Sequence, residues 1–288
     1  MSDDGEHGLT IIAFIGSVFS PYYAQARRGG RSADPLNHCA VNVALYGRGG
    51  GRWAMTERGR GRVSRDATHL QVGPSGLRWS GDALHIVLDE LAVPWPSRIR
   101  GSVTVQVPRR FDHPVALAPG HRWCPIAPAA RVEVALGDTC WSGPGYLDAN
   151  HGDAPLESAF ERWDWSRAHL AGGDSVVLYD VARIGLTPLR LGLRFDMRAG
   201  EVCAIDPPPA ATLPPTLWRI ARGGRTDAGS TTRVVQTLTD APFYARSLLD
   251  ARWLGERVTA MHESLSLPRF ASPWVQAMLP FRMPRRAG

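Results

Sequence analysis

Apolar and polar residues alternate with a period of two along much of the chain. Cys39, Val41, Val43 and Leu45 alternate with His38, Ala40, Asn42 and Ala44. Leu84, Ile86 and Leu88 alternate with His85, Val87 and Asp89, and Val103, Val105 and Val107 with Ser102, Thr104 and Gln106. The same pattern returns at Val132, Val134 and Leu136, at Leu189 to Met197, and at Val234, Gln236 and Leu238. A strand sends successive side chains to opposite faces, so these runs predict half-buried strands. Gly47 to Gly51, Gly73-Pro74 and Ser80-Gly81-Asp82 punctuate them as turns. An apolar strand is expected over 9–23, ended by Ser20-Pro21, followed by an Arg/Gly-rich loop over 24–36. Pro207 to Pro209 and Pro214-Pro215 mark a rigid surface loop. Helical periodicity is weak. Leu156, Ala159, Phe160 and Trp163 predict one short helix after Pro155, and residues 246–262 a second. Many short strands with Gly/Pro turns predict an all-β chain of barrels or sandwiches. The Gly/Pro-rich stretch 141–155 marks the expected boundary, dividing the chain into 8–145 and 146–288. Ligand pockets favour such junctions.

Composition narrows the function classes. All 33 basic residues are Arg, and the formal charge is +6. Nucleic acid is not the expected partner, because no zinc-finger, basic-helix or RNP pattern accompanies the charge. A solvated surface or contact with anionic lipid headgroups accounts for it. Cys39, Cys124, Cys140 and Cys203 are widely spaced, which signals neither a zinc ribbon nor a redox pair. Asp3, Asp4 and Glu6 stand where a secretory signal would carry positive charge, so reduced thiols in the cytoplasm are expected. The apolar run Ile11 to Phe19 is too short to span a bilayer, which takes about 20 residues.

Candidate chemistry concentrates between residues 120 and 165. Trp123, Trp141, Tyr146, Trp163 and Trp165 are interleaved there with His121, Asp148, His151 and Asp153. Buried Trp and Tyr need polar partners, so this mixture suggests a pocket holding an acid among apolar walls. Plainer readings stand beside it. Asp148, ahead of Asn150 and Gly152, is also a good turn former. His121 and His151 can be structural histidines, and the tryptophans ordinary core. His38, Asn42 and Glu57 form either a buried structural network or a pocket lining. Tyr22 and Tyr23 either line a tunnel or cap a strand.

Five blocks carry a family resemblance: FIGSVFSPYYA (14–24), DPLNHCAVNVALYG (34–47), RWAMTERGRG (52–61), WSGPGYLDANHGDAPLESAFERWDWSRA (141–168) and SPWVQAMLPFRMPRR (272–286). The chain resembles the bacterial carotenoid 1,2-hydratases, also called hydroxyneurosporene synthases, over nearly its whole length. The resemblance implies two consecutive lipocalin-like β domains with a cavity at or near their junction. It implies addition of water across the terminal C1=C2 double bond of acyclic carotenes such as neurosporene and lycopene, with no cofactor and no metal. A His-x-Trp and a Tyr-x-Asp pair of the family correspond to His121 and Trp123, and to Tyr146 and Asp148.

The expected reaction needs a carboxylic acid kept protonated by burial, aromatic faces for the cation, and one admitted water. Asp148 is the expected general acid. His121 orients it or the water, and Trp123 and Tyr146 face the cation and the polyene end. Tyr22, Tyr23, His38, Asn42, Trp141, Asn150, Trp163 and Trp165 are the expected substrate-binding residues. Many relatives carry Trp where this chain has His151, which leaves that position without an assigned role. A bilayer-dissolved substrate implies peripheral contact with the inner photosynthetic membrane, through Arg-rich loops and exposed aromatics such as 24–33 and the tail 272–286. The alternatives are a cyclase or isomerase of the same fold and a non-catalytic carotenoid or lipid carrier. A metal hydrolase using His38, His121 and His151 lacks a motif. A glycosidase would need a second carboxylate opposite Asp148, such as Asp153 or Asp164.

Overall fold

The structure is a computed structural model that describes residues 1–29, 33–48 and 50–286. Residues 30–32, within the stretch 24–33 expected to meet a membrane, and Gly49 of the Gly47–Gly51 turn lie outside the described residues. The chain forms two compact units. One comprises Met1–Pro108, Ala130–Gly145 and Gln276–Gly288, and the other Arg109–Ala129 and Tyr146–Val275.

The first unit starts with β1 (His7–Phe14), α1 (Pro21–Arg28), β2 (Cys39–Gly47) and β3 (Arg52–Arg58). Strands β1, β2 and β3 pair antiparallel in that order. Then come β4 (Val63–Arg65), β5 (His69–Val72), β6 (Ser75–Ser80), β7 (Ala83–Leu91) and β8 (Arg98–Gln106), an antiparallel meander. Alternation places Leu84, Ile86 and Leu88 inside, as the pattern predicts. The strand expected over 9–23 stops at Phe14, and the loop expected from 24 is helical as far as Arg28. Ser20-Pro21 begins that helix. Ser20 Oγ accepts from Tyr23 N at 2.9 Å, and Pro21 supplies a preset φ with no amide hydrogen to satisfy.

Next are β9 (Val115–Ala118), β10 (His121–Leu136) and β11 (Thr139–Gly152). The second unit continues with α2 (Leu156–Ala159), β12 (Phe160–His169), β13 (Ser175–Arg183), β14 (Leu189–Asp196), β15 (Glu201–Ala204), β16 (Ala210–Leu213), β17 (Arg222–Arg225), β18 (Arg233–Asp240), β19 (Tyr244–Trp253) and β20 (Glu256–Ser266). The chain closes with α3 (Leu267–Phe270), α4 (Pro273–Arg282) and β21 (Arg285–Arg286), which pairs with β3. The second unit holds a seven-stranded antiparallel sheet in the order β15-β14-β13-β12-β20-β19-β18. Two meanders meet there through the β12–β20 pairing. Val176, Leu178, Leu249, Ala251, Trp253, Val258 and Ala260 pack as the core of one face.

Two expected helices are corrected. After Pro155 the helix is a single turn, and Phe160 and Trp163 belong to β12. Residues 246–262 form the β19–β20 hairpin. Ala245, Ser247, Leu249, Ala251 and Trp253 are buried in alternation, which is a strand period. Leu254 and Gly255 turn the hairpin with φ of 53° and 85°. Two positive φ values suit a type I′ turn, where Asn-Gly is favoured. Leu254 is 42% exposed and gains little from burial, while its left-handed backbone costs about 1 kcal/mol. Leu254→Asn is therefore expected to stabilise the protein by about 0.5–1 kcal/mol. A urea midpoint that rises with an unchanged m-value would show this, and an unmoved midpoint would refute it.

Candidate active site

The site grows from one face of β12. Trp163, Trp165 and Arg167 alternate onto that face. Antiparallel register carries it sideways: Trp165 lies opposite Tyr179 of β13 and Glu263 of β20, and Glu263 lies opposite Arg246 of β19. Directly opposed residues share a face, so Tyr179, Trp165, Glu263 and Arg246 form one cross-strand row. A β-bulge between Phe160 and Arg162 reverses the alternation at the strand's start. It puts Phe160 on the face of Trp163, with ring centroids 5.7 Å apart and edges to faces.

Asp148 of β11 is the carboxylate of this site. Trp123 Nε1 donates to Asp148 Oδ2 at 2.8 Å, and Tyr146 OH donates to the same oxygen at 3.1 Å. The second oxygen, Oδ1, accepts no hydrogen bond from the described residues. Trp123 is buried and meets Tyr179 edge to face at 5.7 Å. Tyr179 also meets Trp163, at 6.4 Å, and Tyr146 leans on Trp165 at 5.1 Å. Burial pushes the Asp148 carboxyl up to about 6, and the nearby Glu263 charge adds to the rise. The hydrogen bonds from Trp123 and Tyr146 and the Arg246 charge act in the opposite sense. Burial holds the Tyr146 hydroxyl well above its ordinary range, so it stays a neutral donor.

Two cations border the carboxylate. The Arg167 guanidinium stands over the Tyr146 ring, 5.1 Å from its centroid, and donates to His169 Nε2 at 2.9 Å. Burial brings Arg167 down to about 10, which leaves it charged at neutral pH. Burial and the Arg167 charge bring His169 to about 4, so its ring is neutral and can accept. Arg246 is ion-paired with Glu263.

His121 is buried and meets Phe160 edge to face at 5.0 Å. Burial lowers its pKa against the pull of Asp153, so the ring is neutral near pH 7. Its Nε2 is buried with no hydrogen-bond partner, and it makes no hydrogen bond to Asp148. A side chain at Gly152 would meet His121 Nδ1 at 2.6 Å, so the glycine makes room for the imidazole. Asn150 and His151 are exposed and hydrogen-bond neither Asp148 nor each other.

Five expected residues belong to the first unit and bond within it. His38 Nδ1 lies 2.9 Å from Glu57 Oε1, and Arg285 also pairs with that buried carboxylate. Tyr23 packs on His38 with centroids 4.8 Å apart, and the Arg285 guanidinium lies 5.9 Å from the Tyr22 centroid. Asn42 Nδ2 donates to Ala54 O at 3.0 Å, and Trp141 stacks on His7 at 6.4 Å. The structure thus gathers Trp123, Tyr146, Asp148, Trp163 and Trp165 with His121 nearby through Phe160. It adds Tyr179, Arg167, Glu263 and Arg246, which the sequence reading did not single out. Arg167 lies within the block 141–168, one alternation step past Trp165. The other three arrive through cross-strand register and leave no local signal. Among the described residues, no group of three or more His, Cys, Asp or Glu side chains is placed to hold a metal ion.

Comparison with known proteins identifies the family of the chain and the fold. The sequence profile described as carotenoid hydratase CrtC matches residues 11–288. The acyclic carotenoid 1,2-hydratase of Thiocapsa roseopersicina is 55% identical over 293 residues, spanning 100% of this chain and 72% of that protein. The acyclic carotenoid 1,2-hydratase of Rubrivivax gelatinosus is 49% identical over 294 residues, with the same coverage. That of Cereibacter sphaeroides is 40% identical over 282 residues, spanning 96% of this chain and 99% of its own. A solved structure from Nitrosomonas europaea, named for AttH, superposes with a TM-score of 0.59 at 12% identity. It covers 92% of this chain and 88% of that one, a likeness of fold alone, and that fold is lipocalin-like. With a match that runs through both units, the chain belongs to the carotenoid hydratase family.

Proposed function

We propose that the protein adds water across the terminal C1=C2 double bond of an acyclic carotene such as neurosporene or lycopene, with Asp148 as the general acid. The observation that carries this reading is the placement of hydrogen bonds on Asp148. Both donors sit on Oδ2, and Oδ1 is left as the oxygen that carries and delivers the proton. Family membership and the names of the similar hydratases support the substrate class.

The step balances without any further reactant. The alkene π pair takes the proton from Asp148 Oδ1–H at C2, leaving a tertiary cation at C1 and a carboxylate on Asp148. A water oxygen then bonds to C1, and the proton it sheds returns to Asp148. The faces of Trp123, Tyr146, Trp165 and Tyr179 stabilise the cation, each by up to about 2 kcal/mol when desolvated. Trp163 and Phe160 keep bulk water from the wall behind them. Arg167 offsets the carboxylate that protonation of the alkene leaves behind. His121, neutral and with Nε2 unpartnered, offers one donor and one acceptor nitrogen to the water.

A carotene dissolves in the bilayer interior. No helix among the described residues is long and apolar enough to cross a membrane. On this reading the protein meets its substrate as a peripheral protein on the cytoplasmic side of the photosynthetic membrane. Incubation with lycopene in H₂¹⁸O is expected to yield a tertiary alcohol carrying one labelled oxygen, read by mass spectrometry. Binding of polyene with no oxygen gained would overturn the reading and leave a carrier or a cyclase.

A further inference from the structure

We infer that the loop tip at Thr216–Ile220, with Trp274 beside it, is the surface by which the second unit docks on an anionic bilayer. The inference deepens the proposed function, since it rests on a substrate that the protein must collect from a membrane. Leu217 is 97% exposed, Trp218 41% and Trp274 42%. The two indoles stack on each other with centroids 5.9 Å apart.

This exposure is not that of a loose loop. Thr216 N donates to Ile220 O at 3.1 Å, Arg219 N to Thr216 O at 2.9 Å, and Ile220 N to Thr216 Oγ1 at 3.2 Å. Asp240 Oδ2 accepts from Leu217 N at 2.9 Å and from Trp218 N at 3.4 Å. Arg219 adopts a φ of 57°, a conformation that disfavours any side chain. The backbone is satisfied and strained so that Leu217 and Trp218 face outward. Arg269 of α3 donates to the Trp218 and Pro242 carbonyls and stands 5.9 Å from the Trp274 centroid. The two aromatics are thereby fixed side by side.

Charge selects the occupant. Arg162, Arg219 and Arg269 line a pocket of about 230 Å³ next to the tip. The guanidinium groups of Arg162 and Arg219 make no hydrogen bond or ion pair among the described residues, though the Arg162 charge acts on Asp164, and the Arg269 guanidinium bonds to carbonyls. The acid in that pocket, Asp164, is already held by Ser264 Oγ at 2.5 Å and Gly223 N at 3.1 Å. Burial raises it to about 6, so it opposes the arginines less as pH falls. Guanidinium groups beside an indole pair suit a phosphate headgroup with the acyl boundary next to it. Trp prefers that interface, and Arg binds phosphate in a planar fork.

The test uses the full chain and phosphatidylcholine vesicles with or without phosphatidylglycerol. The protein is expected to sediment with the anionic vesicles. A double variant, Leu217→Ser with Trp218→Ser, is expected to bind them at least about tenfold more weakly. Arg162→Ser with Arg219→Ser is expected to lose the preference for the anionic lipid. Circular dichroism establishes that each variant is folded. Hydration of carotene presented in detergent should be unchanged in the Leu217/Trp218 variant, while hydration of carotene embedded in vesicles falls in step with binding. Equal vesicle binding by variant and parent overturns the docking surface, as does a parent that ignores vesicles. A dimer of the parent that the variant lacks assigns the patch to self-association instead. Loss of hydration in detergent by the parent itself would instead count against the proposed reaction.

Discussion

Asp148→Asn is expected to lower carotene hydration at least about a thousandfold while making the protein more stable at pH 8. The first effect follows from the proposed role of Oδ1 as the oxygen that delivers the proton. General acid catalysis contributes about 10²- to 10⁴-fold, and protonation of an isolated alkene has no easier route. The second effect follows from burial. The Asp148 carboxyl titrates at about 6 in the folded chain against 3.8 for an unperturbed group. The folded state therefore holds this proton more tightly than the unfolded state. The stability tied to it is present below pH 4 and is lost as pH rises through about 6. The loss is up to about 3 kcal/mol, from 1.36 kcal/mol per pKa unit. Asn has no charge to bury, and its carbonyl oxygen can still accept from Trp123 and Tyr146. The stability gap between variant and parent should thus be small at pH 4–5 and widen towards pH 8. Thermal midpoints across that range measure the gap, and product analysis measures activity. An inactive variant whose gap does not change with pH would mean that Asp148 is an ordinary carboxylate and that the acid lies elsewhere.

Hydration is expected to fall with alkali through the same group. If the protonated form of Asp148 is the catalyst, kcat/KM is flat below pH 6. Above it, kcat/KM falls tenfold per pH unit, to about a hundredth of the plateau at pH 8. Burial lowers the His121 pKa from its ordinary value, so the ring adds no limb on the alkaline side, where the fall is read. Arg167, at about 10, keeps its charge throughout. Glu263→Gln removes a negative neighbour and should move the break to lower pH. A profile flat from pH 5 to 8.5 would remove Asp148 from the rate-determining proton transfer.

The all-β class was legible because half-buried strands write their faces as alternation. Leu84 to Leu88 and Val103 to Val107 carry that signal cleanly. The β19–β20 hairpin hid it. Leu248 and Leu249 are adjacent, both faces of β19 are partly buried, and the apolar spacing then imitates a helix. Helix α1 was hidden by Ser20-Pro21, a pair that ends strands and begins helices equally well. The density of Trp, Tyr, His and Asp between 120 and 165 pointed to a pocket holding an acid, and the family resemblance singled out Trp123, Tyr146 and Asp148 within it. Tyr179, Glu263 and Arg246 were not legible. They reach the site only through the pairing of four strands, and nothing in their own segments marks them.

The two donors on Asp148 are both neutral and have no proton to give up near pH 7. Neither needs to turn, recharge or exchange partners when the acid goes from its protonated to its ionised form. The carboxyl can therefore keep the same two hydrogen-bond donors in both states, so a proton transfer there calls for little rearrangement of these partners. Such an arrangement is indifferent to the sense of the reaction. If Asp148 is the acid proposed here, the carboxylate left by the forward step is the base that the reverse step needs. An unlabelled tertiary alcohol should then exchange its oxygen with labelled solvent on this protein, while the direction of net flow follows the concentrations of alkene, alcohol and water.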